Sequence, residues 1–326
     1  MKRALAFIAV TAVGACGSFQ DPNIVVDLRV ISMTASVPEQ VIDIDLENPP
    51  PAAQILPQLV PSTVCALVAD PDYTRRLRWS LTMCPQTDDD LCSDTDPQVL
   101  LGSGLLDDPD ITVPEPKLCG TIQPDGDLIG VVESELAGDS LHGLQGVQYE
   151  VLLHVGGEGA DPSDDVYAGK ALQLAARVPA QRTANTNPYL TEVDGSIDGA
   201  APVALPLGRC VDQTAPLQIK QGHTMRLLPI EPPGIHETYV IPTLDGGYET
   251  FTESITYQWT AGNGSYSDGD TGGTRDAFGN EPPIFTDWTA PQGKSITGPT
   301  DVPLWVVQRD ERLGEAWYEM CVEVDP

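Results

Sequence analysis

Apolar and polar side chains alternate along several short stretches of the chain. In LRWSLTM, residues 77–83, every second residue is apolar and the residues between are polar. The same pattern runs through VIDIDLE at 41–47, YEVLLHV at 149–155 and ITYQWTA at 255–261. A two-residue period places successive side chains on opposite faces of a strand. We therefore predict half-buried strands with one face in a core and the other in water.

The stretch VVDLRVISMTASV, residues 25–37, changes the phase of this alternation. Its apolar residues occupy even positions up to Val30 and odd positions from Ile31 onward. One extra residue in a strand produces such a change. We predict a β-bulge, or a strand that crosses between sheets, near these two residues.

Glycine and proline, 30 of each, are spread along the whole chain. They leave few places for a long helix, and no stretch keeps a 3.6-residue apolar period. The predicted fold class is therefore all-β, with two Ig-like antiparallel β-sandwich domains. The chain is too long for one such domain. We place the first domain at 23–180, a linker at 181–202 and the second domain at 203–326.

The first 15 residues have the pattern of a secretory signal peptide. Two basic residues follow Met1, then an apolar run, Ala4–Val13, that is too short to span a bilayer. The segment Val13-Gly14-Ala15-Cys16 resembles the lipobox of bacterial lipoproteins, which implies cleavage before Cys16 and acylation of its thiol. The alternative is an ordinary signal peptide cleaved after Ala15.

The number of cysteines favours the lipoprotein interpretation. The chain has seven, and lipidation of Cys16 leaves an even set of six for an oxidising compartment. Residues 16–22 would then form the lipidated tether. Gly17 follows the cysteine, and by resemblance to sorted lipoproteins this implies the outer membrane. We expect an exported protein held by its lipid, with the membrane face left open.

The six remaining cysteines are predicted to form disulfides. They are Cys65, Cys84, Cys92, Cys119, Cys210 and Cys321. The four in the first domain allow three pairings, one of which closes the short acidic loop CPQTDDDLC. In the second domain Cys210 is the candidate partner of Cys321, which the alternation places on an outward face. Zinc is disfavoured because no Cys-x2-Cys pair occurs.

The chain is strongly acidic. Without the two basic residues of the signal peptide, 15 Lys and Arg face 48 Asp and Glu, a formal charge of −33. Such a field repels nucleic acid, so no nucleic-acid partner is expected. The acidity favours solubility outside the cell or attraction of divalent cations.

Three stretches resemble Ig-like or PKD-like modules in lipoproteins of myxobacteria-type Deltaproteobacteria. They are VVDLRVISMTASVPE near the N-terminus, ITYQWTAGNGSYSDGDTGGTRDAFGN running on to FTDWTAP, and the terminal hairpin VPLWVVQRDERLGEAWYEMCVEV. The linker tetrapeptide NTNP adds to this. In those proteins the hairpin turn reads Arg-Asp-x-Arg-Gly-Gly, so Leu313 departs from it. The resemblance implies an architecture and a location, and no activity.

No catalytic motif stands out. HETYV begins like a zincin motif, but the second histidine would fall on Val240. The cluster DSLH at 139–142 is interpreted as a loop, because triad members normally come from separate segments. His154 shares the predicted polar face of its strand with Glu150, which is typical of a solvated histidine.

Calcium is the one ion for which the sequence offers candidate ligands. Loops rich in Asp and Asn supply the oxygens that a hard cation requires. One candidate set is Asp88, Asp89, Asp90, Asp94 and Asp96, and the other is Asp268, Asp270 and Asp276 with Asn280. Read as an EF-hand from Asp268, the second loop carries Gly279 where glutamate is required.

Trp288, Trp305 and Trp317 raise the alternative of an aromatic platform for sugars or protein. Trp305 has apolar neighbours on both sides, so we expect it to be buried, whereas Trp317 is the best exposed candidate.

The sequence thus predicts a membrane-anchored envelope lipoprotein that acts as a structural or binding module, without catalysis. Its partners would be the membrane, through its lipid, and an envelope protein or polysaccharide. The alternatives are a calcium-stabilised, adhesin-like surface module and a secreted hydrolase.

Overall fold

A computed structural model describes residues 21–71, 75–86, 92, 97–106, 112–113, 118–293 and 296–326. The fold is all-β, and its strands form two sandwich-like units, as the alternation predicts. The strands of the first unit are β1 Arg29–Ala35, β2 Glu39–Ile42, β3 Ser62–Ala69, β4 Leu77–Pro85, β5 Val99–Leu106, β6 Thr112–Val113, β7 Cys119–Ile122, β8 Val147–Gly157 and β9 Val166–Ala176.

Two sheets enclose the core of the first sandwich. One has the order β2-β9-β8-β4-β5, and in the other β1 and β3 pair while β6 and β7 pair with β3. The alternating apolar residues of β4 and β8 face this core, with Leu77, Leu81, Val151 and Leu153 fully buried. The predicted bulge is confirmed, because the register of β1 against β3 shifts between Val30 and Ser32.

Two helices add to the first sandwich, and the sequence predicted neither. The short α1 spans Ala52–Ile55 and α2 spans Gly126–Gly138. Asp125 caps α2 by accepting hydrogen bonds from the backbone N–H groups of Asp127 and Leu128. The helix buries Leu128 and Val131 against the core. Leu128, Val131, Val132 and Leu136 follow helical spacing behind the Asp125 cap, so the expectation that no stretch keeps a helical period was wrong here.

The second sandwich contains the remaining strands. They are β10 Glu192–Ile197, β11 Val203–Leu205, β12 Leu217–Lys220, β13 Thr224–Ile230, β14 Thr238–Pro242, β15 Tyr248–Thr252, β16 Thr256–Ala261, β17 Ser265–Tyr266, β18 Asp270–Gly272, β19 Thr286–Thr289, β20 Thr300–Arg309 and β21 Glu315–Asp325. The sheet orders are β11-β10-β13-β19-β17 and β12-β21-β20-β16-β18, and β14 pairs with β15 as a separate hairpin. Tyr257, Trp259 and Trp288 fill the core between the two sheets.

The two sandwiches meet face to face along a buried apolar seam. Ile31 and Leu67, on the β1–β3 sheet, pack with Trp305 and Val307 of β20 and with the half-buried Trp317. The β1–β3 sheet therefore contacts apolar residues on both of its faces. This explains why almost every residue of β3 is buried, with no alternation.

A polar network continues the seam. The amide of Asn185 donates to the carboxylate of Asp310 and, at 2.8 Å, to the carbonyl oxygen of Arg312, in the turn between β20 and β21. Asn187 bridges the units by donating to the carbonyl oxygen of Ala35 and accepting from the backbone N–H of Glu315. The tetrapeptide NTNP and the terminal hairpin are thus in direct contact.

Some details differ from the predictions. The range predicted as a linker, 181–202, contains β10, which pairs with β11 and β13 of the second sandwich. Two edge pairs, β2 with β9 and β12 with β21, are parallel. In VIDIDLE only the first two residues belong to a strand, because β2 ends at Ile42 and the chain then leaves β9.

Three disulfides join the predicted cysteines, in the pairs Cys65–Cys119, Cys84–Cys92 and Cys210–Cys321. The disulfide prediction is confirmed, and three disulfides are consistent with an exported, non-cytoplasmic protein. Across the described ranges, no helix has the length and apolar character that crossing a membrane requires.

Candidate functional site

The structure places some predicted site residues and leaves others outside its description. Cys16 and the acidic group Asp88, Asp89, Asp90, Asp94 and Asp96 lie outside the described residues. Cys321 was expected on an outward face, but it is fully buried. The segment around Cys210 covers it, and the backbone N–H of Cys210 donates to the Glu319 carboxylate.

The second set of calcium candidates is not assembled into one site. The Asp276 carboxylate accepts from the backbone N–H groups of Phe278 and Asn280 and from the Asn280 amide, so it organises its own loop. Asp270 lies in β18, and the backbone of Asp268 bonds with the hydroxyl of Thr286. In the part of the chain that the structure describes, no three His, Cys, Asp or Glu side chains are grouped to hold a metal ion.

The DSLH loop and His154 have structural partners. The Asp139 carboxylate accepts from the backbone N–H groups of Leu141 and Gly143 and shapes its own turn. His154 is not simply solvated: its Nε2 lies 2.6 Å from the buried carboxylate of Asp165, and its ring stacks on Tyr167. Arg78 donates hydrogen bonds to both oxygens of the Asp165 carboxylate.

The tryptophan platform is not formed. Trp288 and Trp305 are fully buried, so the expected burial of Trp305 is confirmed. The expectation that Trp317 is exposed is wrong, because the first sandwich covers that face of β21 and Trp317 packs in the seam.

An open groove of about 1020 Å³ lies on the second sandwich. We call it the β15–β18 groove, after the two strands whose ends border it. Its lining residues are Glu231, His236, Thr252, Glu253, Ser254, Ile255, Gly272, Gly273, Arg275, Glu281, Pro282, Pro283, Ile284 and Phe285. They come from four segments that are distant in sequence.

One wall of the groove carries a histidine between two glutamates. His236 Nδ1 donates to the carbonyl oxygen of Glu253 at 3.0 Å, and its Nε2 lies 3.3 Å from the Glu231 carboxylate. The hydroxyl of Tyr257 donates to the same carboxylate. Burial, and secondly the nearby Glu231, raise the pKa of Tyr257, which therefore stays a hydrogen-bond donor. These contacts hold Glu231 in place.

The second glutamate, Glu253, links the groove to the seam. Its carboxylate accepts from the backbone N–H of Glu237 and pairs with Arg312 at 3.4 Å. Its side chain is only 1% exposed. Burial, and secondly repulsion from Asp310, raise its pKa to about 7 despite the opposing effect of Arg312. Glu253 is therefore the carboxyl of the groove that titrates near neutral pH.

The opposite wall is apolar and fixed to the sheet. It consists of Pro282, Pro283, Ile284 and Phe285. The backbone N–H of Gly272 donates to the carbonyl oxygen of Pro283, and the Thr271 hydroxyl donates to that of Ile284. The wall therefore follows the edge of β18.

Sequence reasoning missed this groove, although one signal was present. The triplet Glu-Pro-Pro occurs at 231–233 and again at 281–283, and residues of both triplets line the groove. Proline fixes its own φ and restricts the residue before it. The two triplets could have indicated two stiff segments that each present a glutamate. They could not have indicated that both segments line the same groove.

Comparison with known proteins adds little. Neither a protein-family model nor a curated protein sequence matches the chain. Among solved structures, a crystal structure of red sea bream transglutaminase is similar at a TM-score of 0.24 and 11% identity. The match covers 91% of this chain and 31% of that one. Similarity this low carries no argument about fold or function.

Proposed function

We propose that this protein is a lipoprotein of the cell envelope, anchored in the outer membrane through acylated Cys16, and that its two joined sandwiches form a binding module without catalysis. The observation that carries the binding role is the β15–β18 groove, a preformed concavity with one polar and one apolar wall.

The lipobox-like segment Val13-Gly14-Ala15-Cys16 and the even set of disulfide cysteines support the anchor. Membrane fractionation tests it. The full-length protein should pellet with membranes and leave them only with detergent, whereas a Cys16→Ser variant should not be retained. Equal retention of both proteins would reject the lipid anchor.

The contacts that the groove's carboxylates make support a binding role and not a catalytic one. Glu231 is held by Tyr257, and Glu253 by Arg312 and a backbone N–H. Glu231, which is partly exposed, is thereby fixed as part of a shaped, charged surface at little entropic cost on binding. The partner we propose is another macromolecule of the envelope.

A secreted hydrolase is the second candidate, because His236 Nε2 lies 3.3 Å from the Glu231 carboxylate at the groove, and the nearby Glu253, whose backbone carbonyl His236 contacts, has a pKa of about 7. Such a group can act as a general acid or base at neutral pH. Turnover of a peptide or glycan substrate, lost in a His236→Ala variant that still folds, would favour the hydrolase and reject the binding module.

A further inference from the structure

The β15–β18 groove has the shape and charge to select a ligand class, and this step rests on the binding role proposed above. Its volume of about 1020 Å³ is at the upper end for small-molecule sites, so it has room for a segment of several residues.

The floor of the groove is built without side chains. Gly272 has φ 73°, and a Cβ atom there would come within 2.5 Å of the carbonyl oxygen of Ile255. The neighbouring Gly273 has φ 96°. Left-handed backbone of this kind favours glycine. A Cβ at either glycine would meet the neighbouring chain, Ile255 or Thr256, so the pair allows this segment to pack closely there.

The rim beside the apolar wall is an ordered loop. Both ends of the loop, Gly273 and Glu281, line the groove. The Arg275–Glu281 ion pair closes its base, and the Asp276 carboxylate fixes its turn. At its apex Phe278 is 90% exposed.

The charge of the lining defines what the groove attracts. Glu231 is partly exposed at the groove and Glu281 is largely exposed, although Glu281 pairs with Arg275, whereas the carboxylate of Glu253 is buried against Arg312. The whole chain carries a formal charge of −31, so the field around the groove is negative. Complementary charge steers an oppositely charged partner toward such a site.

We propose that the β15–β18 groove binds an extended basic segment of a partner protein. Lys or Arg side chains of the segment face the Glu231 and Glu281 wall edges, and its apolar side chains lie on Pro282–Phe285. The walls, held by hydrogen bonds to the sheet, suit an extended segment, because little of the groove has to be ordered on binding.

The test uses the full mature protein in neutral detergent and a fluorescent peptide of alternating Lys and Leu, with a Glu–Leu peptide of equal length as control. Fluorescence anisotropy should show binding of the Lys peptide only, and added salt should weaken it.

Two matched pairs of variants separate the groove from general attraction to an acidic protein. Glu281→Lys and Glu249→Lys change the net charge equally, but only Glu281 lines the groove. Ser254→Trp fills the groove, and Thr250→Trp adds the same ring on exposed β15 outside the lining. The first member of each pair should weaken Lys-peptide binding about tenfold or more and the second less than about threefold.

The proposal would be overturned if both members of each pair weakened Lys-peptide binding equally. It would also be overturned if the Glu peptide bound as tightly as the Lys peptide, or if the Lys peptide did not bind. Melting curves show whether each variant is folded, and the Trp pair remains informative if Glu281→Lys is not. An anchored protein that ignores the peptide would refute this inference and leave the envelope binding role standing.

Discussion

Arg312, in the turn between β20 and β21, is surrounded by carboxylates. Its guanidinium bonds with Glu39, pairs with Glu253 at 3.4 Å and lies 3.7 Å from Glu237. It also donates to the carbonyl oxygen of Thr183. The variant Arg312→Met keeps much of the side chain's length and removes its charge.

The expected cost follows from what the variant leaves behind. Glu39 is 2% exposed but retains Arg182 as a partner, whereas Glu253 retains only a backbone N–H. Removing one partner of a buried ion pair typically costs about 3–5 kcal/mol, because the remaining charge is uncompensated. We expect a loss of this size in the free energy of unfolding at about pH 8.

The loss should depend on pH in a defined direction. The pKa of Glu253 is raised in the folded state to about 7 from an ordinary 4.5, first by burial and then by Asp310. A raised pKa means that the folded state binds the proton more tightly. Protonated Glu253 therefore contributes its whole share of the stability below the unfolded pKa of 4.5, and this contribution is lost as the pH rises through the folded pKa of about 7. At about pH 5 Glu253 is largely protonated, so Arg312→Met should cost about 1 kcal/mol less there than at about pH 8.

Urea unfolding followed by tryptophan fluorescence measures these values at both pH values. The control is Arg226→Met, which removes a more exposed, bidentate pair with Asp287, and it should cost much less than Arg312→Met. A cost for Arg312→Met that matches the control, or that is equal at both pH values, would refute this account of the network.

Three further predictions concern the turn, the disulfides and the calcium alternative. Leu313 has φ 75°, a left-handed conformation that is strained for leucine, so Leu313→Gly should raise the free energy of unfolding by about 1 kcal/mol. A lower free energy of unfolding, measured in urea, would show that the turn is not strained. Replacing Cys210 and Cys321 by alanine should lower the free energy of unfolding by about 5 kcal/mol, because this disulfide joins residues 111 apart. Replacing Cys84 and Cys92, which are 8 residues apart, should lower it by about 2.5 kcal/mol. Equal costs would contradict this ranking by loop length. EDTA should leave the melting temperature unchanged, and a drop of many degrees would favour the calcium-stabilised module.

Alternation predicted those strands that bury one face. β4 and β16 carry their apolar residues into a core at every second position, so their patterns are readable, whereas β8 alternates in sequence but is buried on both faces. The same reasoning failed for Cys321 and Trp317. It assigns residues to faces of a strand but does not show what covers each face, and here the outer face of β21 is buried under other segments.

The groove and the polar seam were beyond prediction for a related reason. Each of them assembles side chains from distant segments, as in the contact of Glu39 with Arg182 and Arg312. Local pattern carries no information about such contacts. The bulge at Val30–Ser32 was predictable because a phase change lies within one strand.

The lipid anchor is the central claim about what this protein is, and the mass of the mature protein tests it most directly. Intact mass spectrometry of the protein from its native membrane, beside Cys16→Ser, should show a chain that begins at Cys16 and carries acyl chains that the variant lacks. An unmodified chain beginning at Cys16 would contradict the anchor and indicate a freely secreted protein with an odd thiol.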